Sequence, residues 1–256
     1  MARRPRIDLP GYHHIVNRGV NRSDIFVDDE DREVFVRIMC KASRIYDATV
    51  HDYCLMDNHY HLLLENRQEN LSLLMRQINA NYAIYFNKKH HRTGHLWQGR
   101  FSSWYILGDD YLYRTIRYIE HNPIEAGIVS QVRDYDHTLA GRILRGESVP
   151  ECAEDSLLLR RYDISTLAGF LAEPLTQEEV DDLESQRQQN IVIKGRQAKQ
   201  IEKKPLESYF GPGMDRPRRN QAIHEAYRDG HTQRSIAAHL GLTDAAVNII
   251  IKKFRI

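Results

Sequence analysis

DNHYHLLLE, residues 57–65, decides how the chain reads. The turn-forming pair Asp57-Asn58 separates ATVHDYCLM (48–56) from HYHLLLE (59–65), and both runs are rich in β-formers, so an antiparallel hairpin is predicted. Side chains two apart on a strand share a face. His59 and His61 therefore stand side by side, with Tyr60, Leu62 and Leu64 pointing the other way. Two imidazoles so placed can share a divalent ion. They can equally be ordinary half-buried strand residues, so a companion ligand and a reactive group must decide.

Working outward, GYHHIVN (11–17) alternates as a strand. DDEDREVFVRIMCKASRIY (28–46) has acidic residues in its first turn and apolar residues at near-helical spacing, and LSLLMRQINANYAIYFNKKH (71–90) is a second amphipathic helix. HLWQGRFSSWYIL (95–107) reads as a further strand, and a third helix runs from Asp109 to Asn122, stopped by Pro123. Strand, helix, strand, strand, helix, strand is the split βαβ order. The expected class is α+β: a ferredoxin-like antiparallel sheet with helices on one face, followed by an all-α extension.

Composition is that of an ordinary globular chain, with 256 residues, 41% hydrophobic, and no apolar run long enough to span a bilayer. A cytoplasmic, nucleoid-associated protein with no membrane partner is expected. Cys40, Cys54 and Cys152 are widely spaced without a CxxC, which is read as excluding a disulfide framework and a thiolate zinc site. The net charge of +1 hides segregation. Residues 151–190 carry 3 basic against 10 acidic side chains, whereas 191–256 carry 13 against 6. The expected organisation is a domain over 1–147, a helical connector over 148–193, a basic linker over 194–219 and a helical module over 220–256.

The segment DDYLYRTIRYIEHNPIEAG (109–127) supplies the missing groups. Tyr118 and Asn122 are four apart and share a helix face. The phenol is a candidate nucleophile, the Asn122 amide oxygen a candidate ligand, and Arg114, one turn before Tyr118, a candidate phosphate contact. The tyrosines can also be plain packing, and Asn-Pro a helix stop. In NKKHHRTGHLWQGRFSSWY (87–105), Lys88, Lys89, Arg92 and Arg100 alternate with aromatic residues including Trp97. Basic groups track phosphates and aromatic faces stack bases, although at least half of these aromatics are expected in the strand core. Arg18 and Arg22 are further phosphate candidates. At the C-terminal end, Thr232 and Thr243 can cap two helices after NQAIHEAYRDG, a helix-turn-helix pattern with Asn248 and Lys252 on its outer face.

Taken together, HYH and YIEHNPIEAG, with RRPRIDLPGYHHIVNRGVNRSDIF, YCLMDNHYHLLLE and RTGHLWQGRF in order, resemble the REP-associated tyrosine transposases of the single-tyrosine HUH endonuclease superfamily. The resemblance covers about 1–130 and weakens at DYDHTLAGRILRG (134–146). It implies that Tyr118 attacks single-stranded or hairpin DNA of the REP-palindrome type, forming a 5'-phosphotyrosyl link, and that His59, His61 and Asn122 bind Mg²⁺ or Mn²⁺. No GxxxxGK[ST] loop occurs, so no nucleotide cofactor is expected. A monomer is the expectation, with exchange of the tyrosine helix between subunits as the alternative. Two rival readings are a DNA-binding regulator with an idle nuclease domain and a metal-dependent hydrolase using activated water. For the latter, Glu65 and Asp57 are set aside as ligands, the first as off the histidine face and the second as lying in the turn.

Overall fold

The computed structural model describes residues 7–188, 190–194, 197–201, 204–211, 213–229, 231 and 233–254. The chain divides into two compact units, Met1–Leu183 and Glu184–Ile256. In the first, β1 (Gly11–Arg18), α1 (Asp29–Tyr46), β2 (Ala48–Met56), β3 (His59–Asn66), α2 (Leu71–Lys89), β4 (Ser102–Tyr105) and α3 (Asp109–Glu125) follow in order. The four strands form one antiparallel sheet ordered β2-β3-β1-β4. The class is α+β with the split βαβ connectivity read from the sequence.

Local chemistry sets the boundaries. Asp28 caps α1 by accepting from the Asp31 backbone N–H at 3.0 Å, and Asp29, Glu30 and Asp31 place negative charge on its first turn. The helix ends at Asp47, whose φ of 55° is left-handed. Asp57-Asn58 closes the β2–β3 hairpin, as its turn chemistry requires.

Register distributes the side chains. Ile15, Tyr60, Leu62 and Leu64 form one sheet face, where the ring of Phe35 from α1 packs on Tyr60 with centroids 4.8 Å apart and on Tyr82 of α2 at 5.1 Å. The opposite face carries His14, His59 and His61, and α3 lies across it, with Tyr118 against His14 and His61. The expected cover of one face alone is thus corrected. Helices lie on both, because α3 is itself amphipathic and buries Leu112, Thr115, Ile116, Ile119 and Glu120.

Three further expectations are corrected. The strand predicted over 95–107 is only four residues long. Ahead of it, Trp97 turns inward, its indole N–H donating to the Asn79 carbonyl at 2.9 Å. α3 runs through Pro123 to Glu125, since a proline in the last turn costs a single hydrogen bond. Cys40 of α1 and Cys152 are joined by a disulfide across 112 residues, and Cys54 is free and buried. The cysteine spacing, read as excluding a disulfide framework, is thus corrected for this pair, which is brought together by the fold and by no local pattern.

The segment after α3 covers the β2 edge. The backbones of Cys54 and Thr138 form an isolated antiparallel β-bridge, the Leu55 N–H donates to the His137 carbonyl at 3.0 Å, and the Ser156 hydroxyl donates to the His51 carbonyl at 2.6 Å. Helices α4 (Leu139–Leu144), α5 (Leu157–Arg161), α6 (Ile164–Ala172) and α7 (Gln177–Gln188) complete this part. Beneath α3, the carboxyls of Asp52 and Glu120 are fully buried against one another. Burial, then mutual repulsion, holds Asp52 well above the ordinary carboxylate range, and burial also raises Glu120. Two such groups cannot both ionise, so a proton is retained between them.

In the second unit, β5 (Asn190–Lys194) and β6 (Gln197–Ile201) pair antiparallel, across the end of the expected helical connector and the start of the expected linker. Helices α8 (Arg216–Arg228), α9 (Gln233–Leu240) and α10 (Asp244–Lys253) enclose Ile223, Ala226, Ile236, Ala237, Val247 and Ile251. Thr243 Oγ1 accepts from the Ala246 N–H at 3.2 Å at the start of α10. Thr232 lies outside the described residues. Among the described residues no helix is long and apolar enough to cross a membrane.

Candidate active site

The sheet brings the histidine pair to one face, as strand periodicity requires. The rings of His59 and His61 lie 5.1 Å apart. From α3, Tyr118 presents its ring edge-on to His61 at 5.7 Å and to His14 at 5.9 Å. A phenol from a helix and an imidazole from a strand, 57 positions apart by numbering, thus share one site. Tyr118 is half-buried and His61 is 4% exposed.

His14 is a member of this cluster that the sequence reading missed. Its Nε2 lies 3.0 Å from His61 Nδ1, and its ring stacks on His61 and touches Trp104. Alternation in GYHHIVN places His14 on a face, but only the β1–β3 register says that this face is the one carrying His61.

His59 sits half-buried at the mouth of β3. Its Nδ1–H donates to Asn58 Oδ1 at 2.6 Å, which leaves Nε2 with its lone pair. Burial first, and the Arg18 charge second, push its pKa down to about 4. The ring is therefore neutral at pH 7, the form that can ligate a metal. Arg18, Arg22, Asn58 and His59 line a cavity of about 240 Å³, and both arginines are exposed.

Asn122 follows Tyr118 by one turn of α3. Its side-chain amide donates to the Tyr118 carbonyl at 2.6 Å and to the Ile119 carbonyl at 3.3 Å. The amide nitrogen is thereby committed to the helix backbone, and Oδ1 is the atom left to act as a ligand.

Glu65 is corrected on parity: it shares the face of His59 and His61, opposite Tyr12 and Thr49. Its carboxylate accepts from His51 Nε2 at 3.4 Å, and Asp57 pairs with Arg32. Among the described residues no group of three or more His, Cys, Asp and Glu could hold a metal. Two imidazoles with an amide oxygen form a mixed nitrogen–oxygen donor set, which fits a divalent ion completing its shell with water or phosphate oxygens.

The remaining candidates divide. Lys88 and Arg100 are exposed. Arg92 lies over the Phe86 ring at 5.5 Å. Lys89 is engaged by Asp28 at 2.7 Å and by Glu30 and Asp31 at 3.0 Å each, so its charge is already neutralised locally. Trp97 packs on Tyr60 and Tyr82 as part of the core. Arg114 pairs with Asp182 of α7, and Arg117 with Glu179. In α10, Asn248 Oδ1 accepts from Gln233 of α9 at 3.4 Å, while the Lys252 side chain lies outside the described residues.

Residues 10–122, which contain this whole constellation, match the family model described as transposase IS200 like. This segment is similar to IS200-like transposases. A candidate REP-associated tyrosine transposase of Haemophilus influenzae is 25% identical over 109 residues, which is 38% of this chain and 62% of that protein. The chain thus matches less than two thirds of that relative's length. Among solved structures, a REP-associated tyrosine transposase bound to a REP hairpin is similar, with a TM-score of 0.47 and 21% identity over 59% of this chain and 89% of the other. A candidate transposase from Deinococcus radiodurans has a TM-score of 0.34 and 16% identity over 47% and 97%. The resemblance to REP-associated tyrosine transposases that the motifs of this segment carry is shared with the Haemophilus influenzae relative.

Proposed function

We propose that the protein is a transposase-like endonuclease and strand transferase that cleaves single-stranded or hairpin DNA of the REP type through Tyr118. The observation that carries this reading is the packing of the Tyr118 ring on His61 and His14, beside the cavity lined by Arg18, Arg22 and His59. Tyr118 Oη attacks a phosphodiester, forming a 5'-phosphotyrosyl bond as the P–O3' bond breaks. The phenolic proton passes through solvent to the departing 3'-oxygen. A phenol with a pKa near ~10 is a weak nucleophile at neutral pH. His59, His61 and Asn122 Oδ1 would hold Mg²⁺ or Mn²⁺, and such an ion would supply Lewis-acid polarisation of the phosphate. Bond energy kept in the adduct permits rejoining without ATP.

Arg18 and Arg22 hold the backbone next to the scissile phosphate, and Lys88, Arg92 and Arg100 extend the basic track. Arg114 joins that track once released from Asp182. Helices α8 to α10 act as a helix-turn-helix module that contacts DNA, with Asn248 and Lys252 as the residues to test, in a monomeric, nucleoid-associated protein. Labelled hairpin DNA incubated with Mn²⁺ and the full chain should give a covalent adduct on a denaturing gel, lost in Tyr118→Phe and in His61→Ala. Cleavage that persists in Tyr118→Phe without adduct would instead mean attack by water.

A further inference from the structure

We propose that α3 carries a nucleotide subsite beside Tyr118, built from Tyr113, Arg114, Arg117 and Phe170, and that the carboxylates of Glu179 and Asp182 in α7 hold its phosphate positions until a single strand displaces them. The proposal rests on the nuclease reading for why a strand would lie along α3, but its test needs no cleavage. Asp110, Tyr113, Arg114 and Arg117 of α3 and Phe170 of α6 line a cavity of about 320 Å³. The Phe170 ring meets Tyr113 edge-on at 6.1 Å and stacks on Tyr162 at 4.9 Å. Tyr113 and Phe170 are half-buried, so each keeps part of its surface open. Aromatic faces for bases next to basic groups for phosphates are the combination by which single strands are gripped.

The ion pairs of α7 show what charge this face accepts. Arg114 pairs with Asp182 and Arg117 with Glu179, so two cations three residues apart meet two anions three residues apart. On a helix such neighbours have Cβ atoms about 5–6 Å from each other. α7 thus lays two negative charges along α3 at a separation that neighbouring phosphates of an extended strand can match. The guanidinium side chains are 34% and 17% exposed and the carboxylates facing them 41% and 25%. Solvent screens pairs of this kind, and opening each one costs about 2–5-fold in an equilibrium constant. A phosphate accepts two parallel N–H bonds from one guanidinium, as a carboxylate does, and can take its place. Arg114 stands one turn before Tyr118, so a strand seated at the phenol reaches this face with its flanking nucleotides.

Fluorescence anisotropy of a labelled oligothymidylate with the full-length protein in EDTA reads binding apart from cleavage. Glu179 also accepts from the Thr176 N–H at 2.9 Å at the start of α7, and glutamine keeps that acceptor. Glu179→Gln combined with Asp182→Asn therefore removes charge without uncapping the helix. This double variant should bind about 4–25-fold more tightly than the parent protein, the product of two such pairs. Glu178→Gln with Asp181→Asn, exposed positions on the same helix, makes the same change in net charge and should give a clearly smaller gain. In the first double variant the oligothymidylate should bind about 5-fold or more tighter than an abasic strand of equal length, the worth of one stacked base. Phe170→Leu should erase that preference and Phe170→Tyr should keep it. Unchanged affinity in the first double variant, an equal gain in the second, or equal binding of the two strands overturns the proposal. If hairpin DNA with Mn²⁺ gives no adduct while these affinities behave as expected, the nuclease reading fails and the subsite stands; an adduct with flat affinities means the reverse.

Discussion

Asn122 donates its side-chain amide to the carbonyl of Ile119, the carbonyl that Pro123, lacking an N–H, leaves without its helical donor. In a regular α-helix residue 123 would bond to residue 119. Proline removes that bond, and the neighbouring carboxamide fills the gap. The Asn-Pro pair thus reads as a device for aiming Oδ1 of Asn122, and α3 does not end there. Pro123→Ala restores an N–H that competes for the Ile119 carbonyl. It should leave the melting temperature unchanged or higher while weakening Mn²⁺ binding about 2–5-fold, roughly the worth of one hydrogen bond. Isothermal titration with a parallel melt checks both.

Asp182 and Glu179 of the acidic connector hold Arg114 and Arg117 on the helix that carries Tyr118. Phosphates and these carboxylates compete for the same guanidinium groups. Asp182→Asn should tighten binding of single-stranded DNA about 2–5-fold at low salt, as expected for a partly exposed ion pair, and steepen its salt dependence. Fluorescence anisotropy across a salt series measures this, and unchanged affinity would mean that Arg114 makes no DNA contact.

The buried pair Asp52 and Glu120 gives stability an unusual pH dependence. Both carboxyls hold protons more tightly in the folded chain. Above the ordinary carboxylate range the folded state therefore carries more protons than the unfolded one, and linkage makes this contribution fall as pH rises. Asp52→Asn keeps the acceptor for the Tyr53 N–H, which lies at 2.8 Å, and supplies a neutral donor toward Glu120. It should raise the unfolding free energy at pH 8 by about 1–2 kcal/mol, with the gain shrinking in acid. Urea titrations at several pH values test this.

The Cys40–Cys152 bond closes a long loop between α1 and the edge-covering segment. Such a link restricts the unfolded chain. Cys152→Ser, or reduction, should lower stability by about 2–4 kcal/mol, seen as a lower denaturant midpoint without loss of secondary structure by circular dichroism.

What could be read from the sequence follows the range of the forces involved. His59 and His61 on one strand face, and Tyr118 with Asn122 on one helix face, follow from backbone periodicity, which is local. The order of elements followed from the same signals. His14 stayed hidden because its meeting with His61 depends on which strands are neighbours, and Cys40 with Cys152 because no local pattern marks partners so far apart. Lys89 and Trp97 looked like DNA contacts because a basic and aromatic run looks the same whether it faces a phosphate or an inner carboxylate. Only tertiary placement shows that Asp28 and Asp31 surround the lysine and that the indole is bound to Asn79. The misplacement of Glu65 was a slip of parity, which the register with Tyr12 puts right.

The coverage of β2 bears on self-association. Backbone groups of an outermost strand invite another polypeptide to add alongside, yet at Cys54 and Leu55 that position is taken by Thr138 and His137 of the same chain. A second molecule could not extend the sheet there without first peeling this internal stand-in away.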